Sequence, residues 1–265
     1  MTTEQPITAR VLRDLVFAEP QGFRPLSLDL HRPEVDGAPL VLFVHGGGWR
    51  VGSRRVFCPT MEDLDPFGRI VAAGFAVASV DYRLSSEAVF PAQVDDVAAA
   101  LAWLRANGSD LGVDAGRIVL WGESAGATLA ALVGLAPGAA VRGVVDWYGP
   151  SDLLAMGREL GNADAPDSRE AEWLGHPVSA DPARASAASV ALQVHPGSPP
   201  FLVAHGLADA AVPSDQATIL ASALQAAAVL VEVRLVADAG HMWRGDVDRL
   251  ALLDEALDFV RRVTA

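Results

Sequence analysis

The chain has 265 residues, 51% of them hydrophobic, which suffices for one large α/β domain or two small ones and is too apolar for a disordered chain. Its formal net charge is −13 and no basic run exceeds two residues, which argues against nucleic acid and anionic membranes as partners. All 20 basic residues are arginine, so lysine chemistry such as a Schiff base or a P-loop is excluded. Because Cys58 is the single cysteine, no internal disulfide can form.

Charged residues are spread through the first 20 positions, which lack the apolar core of a signal peptide. No uncharged apolar stretch of 18 residues occurs, so no transmembrane helix is predicted. We therefore expect a cytoplasmic protein without a membrane partner.

In chain order, short apolar runs alternate with segments of helical periodicity. Strands are predicted at 10–18, 25–30, 40–44, 75–80, 118–121, 141–147, 201–204 and 231–236. Helices are predicted at about 61–73, 91–107, 127–136 and 214–227, and through Leu250, Leu253, Leu257 and Val260 near the end. This alternation predicts a mostly parallel, eight-stranded sheet flanked by helices in a single domain, 1–265. The apolar stripe of the last helix would permit a homodimer.

The stretch 150–200 is rich in Pro, Ala, Ser and Asp and is too long for a simple connection between two elements. We interpret it as an irregular, lid-like insertion over the functional site. A plain surface insertion is the alternative.

The segment Gly122-Glu123-Ser124-Ala125-Gly126 lies between a predicted strand and a predicted helix. A strand that enters a helix through G-x-S-x-G is typical of the nucleophile elbow of serine hydrolases. Glycines on both sides of the serine let the strand and the helix pack closely around a strained turn. Ser124 is therefore the candidate nucleophile.

Two further candidates follow predicted strands at the same edge of the sheet, where ligands bind in open α/β folds. Their order along the chain, Ser124, then Asp209, then His241, is the order of the α/β-hydrolase triad. His241 would accept the serine proton, and Asp209 would fix its tautomer. Rival candidates for the two roles are His45, His205, His195, Asp215 and Asp238.

Attack of a serine on a carbonyl creates an oxyanion that needs preorganised donors. The backbone N–H groups of Gly47, Gly48 and Ala125 are the candidate donors.

Several large side chains lie near these positions in sequence and could line a substrate pocket, although core packing is the competing interpretation. They are Trp49, Trp147, Tyr148, Met242 and Trp243. No spacing of His, Cys or acidic residues typical of a metal site occurs, so neither metal nor cofactor is expected.

The chain resembles bacterial esterases of the hormone-sensitive-lipase-like group and, more closely, smaller feruloyl-esterase-like carboxylesterases. The residues that carry the resemblance are His45-Gly46-Gly47-Gly48-Trp49, Asp81-Tyr82-Arg83-Leu84, Phe90-Pro91-Ala92, Gly122-Glu123-Ser124-Ala125-Gly126, Asp146-Trp147-Tyr148-Gly149-Pro150 and His205-Gly206 with Asp209. The resemblance implies an α/β-hydrolase that cleaves a small carboxylic ester through an acyl-serine intermediate, without cofactor. It also implies oxyanion donors at Gly47, Gly48 and Ala125.

Two departures from the family pattern leave the substrate open. Leu207 and Ala208 stand where relatives often carry polar residues, and no proline follows Ser85. The same triad could serve amide or formamide hydrolysis, acyl transfer or dehydration. A binding module on an inactive scaffold is disfavoured because all three triad residue types are present.

Overall fold

The computed structural model describes residues 9–265, in which eight strands form one sheet. The strands are β1 Ala9–Ala18, β2 Leu26–Pro33, β3 Ala38–Val44, β4 Ala76–Val80, β5 Val113–Glu123, β6 Gly143–Trp147, β7 Phe201–Gly206 and β8 Val231–Val236. They lie in the order β1-β2-β4-β3-β5-β6-β7-β8. The β1–β2 and β2–β4 pairs are antiparallel and the others are parallel. The predicted mostly parallel, eight-stranded sheet is confirmed.

The chain changes direction across the sheet at β3, which pairs in parallel with β4 on one side and with β5 on the other. Val44 at the end of β3 lies opposite Gly122 near the end of β5. The segments that leave these two strands therefore start side by side. This is the switch point at which open α/β sheets bind ligands.

Helices cover both faces of the sheet. They are α1 Pro66–Ala72, α2 Ala92–Asn107, α3 Ala125–Leu135, α4 Leu153–Glu159, α5 Arg169–Leu174, α6 Pro182–Ala187, α7 Asp215–Ala226 and α8 Arg249–Thr264. Alternate residues of β3 enter different cores, because successive side chains of a strand point to opposite faces. Leu40 and Leu42 pack with α2, α3 and α7, whereas Val41 and Phe43 pack with α1 and α8. A strand covered on both faces explains the unbroken apolar run.

The helix predicted at 61–73 is interrupted. A short 3-10 turn over Glu62–Leu64 ends at Asp65, which has a φ of 49°. The Asp65 side chain accepts the N–H of Gly68, and Pro66 opens α1. A capping aspartate followed by proline at the first helical position is a start signal that periodicity alone does not reveal.

The 150–200 stretch contains three short helices, so the prediction of an irregular segment is wrong. Each helix begins at a side chain that accepts a backbone N–H three residues on: Asp152, Ser168 and Asp181. The segment also contributes buried residues to the core that contains α2 and α3, namely Leu153, Met156, Trp173, Leu174, Val178 and Val190. It is an insertion anchored on the sheet by its own apolar side chains.

The apolar stripe of α8 is covered within the same chain. Leu253, Phe259 and Val260 are fully buried against β3, β5 and β6. Because this stripe is buried within the chain, it cannot form the homodimer contact that the sequence would permit. Within residues 9–265, no helix combines the length and the apolar character needed to cross a bilayer.

Candidate active site

Ser124 lies in a sharp turn between β5 and α3, with φ 52° and ψ −125°. A residue with a Cβ rarely adopts this conformation, which stores backbone strain. A Cβ added to Gly122 would lie 2.2 Å from the carbonyl oxygen of Gly126, and one added to Gly126 would lie 2.1 Å from that of Val44. The two glycines therefore allow the close approach of strand and helix that the elbow needs, as the sequence predicts.

Three side chains from three loops form a continuous hydrogen-bonded chain. Ser124 Oγ lies 3.0 Å from His241 Nε2, and His241 Nδ1 lies 2.7 Å from Asp209 Oδ2. Because the carboxylate can only accept, Nδ1 of the neutral imidazole carries the proton and Nε2 is left to accept from the serine hydroxyl. The structure brings the three predicted residues together, with His241 between Ser124 and Asp209.

The Asp209 carboxylate is held by groups on both of its oxygens. Oδ1 accepts the N–H groups of Ala211 at 2.8 Å and Val212 at 2.9 Å. Burial raises the pKa of Asp209, but hydrogen bonds from His205 and His241 and the attraction of His241 outweigh it, so this pKa lies well below its usual range. Asp209 is therefore an anion at any pH near neutrality.

The rival histidines have structural partners. His205 is buried, and its Nε2 lies 2.9 Å from the Val212 carbonyl oxygen and 3.4 Å from Asp209 Oδ2. His45 Nδ1 lies 2.7 Å from the carbonyl oxygen of Gly46, and its ring stacks on Tyr82. His195 Nε2 lies 3.0 Å from the Leu135 carbonyl oxygen.

The predicted oxyanion donors lie in two segments beside Ser124. Gly47 and Gly48, in the turn after β3, have φ values of 107° and 61°, where a side chain would be strained. A Cβ on Gly47 would also lie 2.1 Å from the Val51 carbonyl oxygen. Ala125 is the first residue of α3, so its N–H has no acceptor within the helix.

Glu123 is a site residue that the sequence reasoning missed. Its Oε1 accepts the N–H of Gly46 at 2.6 Å, and its Oε2 is buried without a partner among the described residues. Burial raises the pKa of Glu123 to about 7, although the hydrogen bond from Gly46 lowers it. A carboxylate at the end of an apolar strand, next to the serine, was the available signal.

A cavity of about 410 Å³ opens above Ser124 and His241. Its floor includes Glu123 and the turn that contains Gly47 and Gly48. Its apolar wall consists of Val51, Val56, Phe57, Pro59 and Met242. Arg50 and Arg169 add two arginines to the lining, and Arg169 belongs to the 150–200 insertion.

Of the five predicted pocket residues, only Met242 lines this cavity. The other four are buried in the two cores: Trp49, Trp147, Tyr148 and Trp243. Trp147 packs edge-on against Trp243, with ring centres 5.5 Å apart. The Tyr148 ring lies 5.0 Å from His241, so it supports the imidazole rather than a substrate. Nearness in sequence to site residues did not reveal that these rings point into the protein.

No group of three or more His, Cys, Asp or Glu side chains in residues 9–265 is arranged to hold a metal ion.

The strand order, the elbow after β5 and the site at the carboxyl edge of the sheet define an α/β-hydrolase fold. A family model confirms the resemblance found in the motifs. The chain belongs to the BD-FAE family, whose model matches residues 28–224.

Individual relatives are esterases. The chain is 34% identical over 242 residues to Esterase LipQ of Mycobacterium tuberculosis, an alignment that covers 83% of this chain and 55% of LipQ. The chain thus spans about half the length of the first curated relatives it matches, or less. Among solved structures, a truncated carbohydrate esterase from gut microbiota superposes with a TM-score of 0.86 at 24% identity, covering 99% of this chain and 98% of that one. The propionate-bound esterase Est2 of Thermogutta terrifontis gives 0.74 at 25% identity, covering 97% and 94%.

Proposed function

We propose that this protein is a carboxylesterase that hydrolyses a short-chain or aryl carboxylic ester through an acyl intermediate on Ser124. The observation that carries the proposal is the hydrogen-bonded chain from Ser124 Oγ through His241 to Asp209 at the floor of an open cavity. The named esterases among its relatives support the same reaction class.

In the first half of the reaction, Ser124 Oγ attacks the ester carbonyl carbon while His241 Nε2 takes the hydroxyl proton. The carbonyl oxygen becomes an oxyanion, which the N–H groups of Gly47, Gly48 and Ala125 would stabilise. The imidazolium that forms is stabilised by the Asp209 carboxylate at 2.7 Å. The tetrahedral intermediate then collapses, the bond to the alcohol oxygen breaks, and His241 gives its proton to the departing alcohol.

In the second half, a water molecule attacks the acyl carbon and His241 removes its proton. The bond to Ser124 Oγ breaks, the serine recovers its proton from His241, and the carboxylic acid leaves. Both halves use the same base and the same oxyanion donors, so a single site suffices.

The cavity supports a small acyl or aryl group. A volume of about 410 Å³ lies near the lower end of the range for small-molecule sites, and its wall is formed by aliphatic and aromatic side chains such as Val51 and Phe57. Est2, a relative of similar fold, was solved with propionate bound, and propionate is a short-chain carboxylate.

The test is hydrolysis of p-nitrophenyl acetate, butyrate and octanoate by the wild type and by Ser124→Ala. Loss of the base-activated nucleophile is expected to lower kcat by at least about 10³-fold. Ser109→Ala, in an exposed turn after α2, is the matched control and should keep wild-type rates. A fluorophosphonate should label the wild type at Ser124, as found by peptide mass spectrometry. Turnover by Ser124→Ala at the wild-type rate would overturn the proposal.

A further inference from the structure

Arg169, at the start of α5, lines the cavity above Ser124 although it lies 45 residues further along the chain. The position of Arg169 is fixed by Trp173, a buried residue of the same helix that contacts other segments. The ring of Trp173 stacks on that of Trp49, with centres 4.2 Å apart, and Trp173 Nε1 donates to Gln93 Oε1 at 3.0 Å. Since Trp49 directly follows Gly48, this contact holds α5 against the turn that contains Gly47 and Gly48, hereafter the oxyanion turn.

The aliphatic part of Arg169 lies against that turn. A Cβ added to Gly48 would be 2.7 Å from Arg169 Cδ, so the absence of a side chain at position 48 makes room for the arginine. Arg169 Nε lies 3.5 Å from the same point, so the guanidinium starts beside Gly48, where the active-site cavity meets an outer groove. Arg50 and Arg169 line both spaces.

Two arginines line the cavity, Arg50 and Arg169, and they differ in whether an acidic group of the described residues pairs with them. Arg50 forms an ion pair with Glu172 and donates to the Asp167 carbonyl oxygen at 2.5 Å. Glu123 is buried and bonded to Gly46, and Asp209 is bonded to His241. In the part of the chain that the structure describes, the exposed Arg169 guanidinium forms no hydrogen bond or ion pair, although Asp167 and Glu170 also line the outer groove.

We infer that Arg169 is a specificity-determining residue that favours esters carrying a carboxylate, which it would bind through its guanidinium beside the oxyanion turn. A guanidinium binds a carboxylate through paired, charge-assisted hydrogen bonds, which a neutral isostere cannot accept equally well. This inference rests on the proposed ester hydrolysis at Ser124. The carboxylate can belong to the acyl part or to the alcohol part of the ester.

Two pairs of matched substrates separate these sources. For the alcohol part, 3-acetoxybenzoate is compared with 3-acetoxybenzamide. For the acyl part, 4-nitrophenyl 4-carboxybenzoate is compared with its 4-carbamoyl counterpart. In each pair the ratio of kcat/KM values, carboxylate over carboxamide, isolates the effect of the charge.

The variant Arg169→Gln keeps a methylene stem against Gly48 and removes the charge. We expect it to lower the ratio about five- to twentyfold in at least one pair, mainly through KM, since the carboxylate lies away from the reacting bond. Arg169→Lys, which keeps a cation, should retain a larger ratio than the Gln variant. Arg158→Gln removes the same charge from an exposed position on α4, outside both lining sets, and should leave both ratios unchanged.

Ratios that Arg169→Gln leaves unchanged in both pairs would overturn the inference. An equal fall of both members in both pairs would also overturn it, because that is the effect of a disturbed Gly48 turn. The proposed function has a separate readout. A folded wild type with neither ester turnover nor fluorophosphonate labelling of Ser124 contradicts ester hydrolysis, whereas turnover without charge preference contradicts only the role of Arg169.

Discussion

Glu123 Oε1 accepts the backbone N–H of Gly46 at 2.6 Å, and this bond ties the residue before the candidate nucleophile to the turn that carries the candidate oxyanion donors. The residue Glu123 is 4% exposed. The Glu123 side chain thus connects the ends of β5 and β3. Because Glu123 also lines the cavity, loss of its proton places a negative charge in the candidate site.

The raised pKa of Glu123 predicts a specific loss of stability with rising pH. Its pKa is raised from 4.5 to about 7, so the folded state holds this proton more tightly than the unfolded state does. The stabilisation is full below pH 4.5 and is lost as the pH rises through 7. Between pH 5 and 8, the free energy of unfolding of the wild type should fall relative to that of Glu123→Gln, by on the order of 2 kcal/mol. Urea denaturation of both proteins measures this difference, and parallel pH profiles would contradict it.

The strained backbone of Ser124 predicts that glycine is better tolerated there than alanine. Both Ser124→Gly and Ser124→Ala remove the hydroxyl, but only glycine relieves the strain at φ 52°, ψ −125°. We expect the glycine variant to be more stable than the alanine variant by roughly 1 kcal/mol, after the entropic cost of glycine in the unfolded chain. Thermal and urea denaturation of the inactive pair provide the measurement. An alanine variant of equal or greater stability would show that the elbow is unstrained.

Removal of the Asp209 charge is expected to slow the reaction while the site stays assembled. Asp209→Asn loses the anion that fixes the His241 tautomer, so kcat should fall by about 10²- to 10⁴-fold. Asp215→Asn is the matched control, since Asp215 lies at the start of α7 and should have no part in the reaction. Stopped assays with p-nitrophenyl butyrate give both values. A large loss in Asp215→Asn with a small one in Asp209→Asn would exchange their roles.

The anchoring of the 150–200 insertion predicts strong protection of its helices from hydrogen exchange. Trp173 is fully buried against Trp49, so Trp173→Ala should cost about 3–5 kcal/mol and Trp173→Phe distinctly less. In the wild type, amides at the end of α5 should exchange at rates close to those of α3. Rapid exchange of α5 in a folded wild type would instead indicate a segment that opens as a lid.

The identity of the site residues was predictable because the chemistry of each role limits which residue types can perform it. Ser124 carries a five-residue turn signal, Asp209 follows the apolar run of β7, and His241 follows the strand β8, in which apolar residues alternate with Glu232 and Arg234. Parallel strands bring their carboxyl ends to one edge, so three separate signals predict one location.

The lining of the cavity was not predictable, because it depends on directions that neighbouring positions do not share. Trp49 directly follows Gly48, yet its ring turns into the core to meet Trp173. Arg169 comes from a stretch with no periodic pattern, and only the fold of the insertion brings it to Gly48. Contacts between residues far apart in the chain determine where the side chains of Trp49 and Arg169 lie, and such contacts cannot be predicted from the neighbouring sequence.

The candidate site spans the ends of β5, β7 and β8, so it can assemble only late in synthesis of the chain. A nascent chain that has left the ribosome as far as α7 already contains the serine and the aspartate, but the histidine at 241 and the helix α8 that covers one face of the sheet are still missing. Such a chain has an exposed apolar sheet face and a hydroxyl without a base. In the mechanism proposed above, Ser124 would therefore lack its base until His241 is translated, shortly before the helix α8 that covers this face of the sheet.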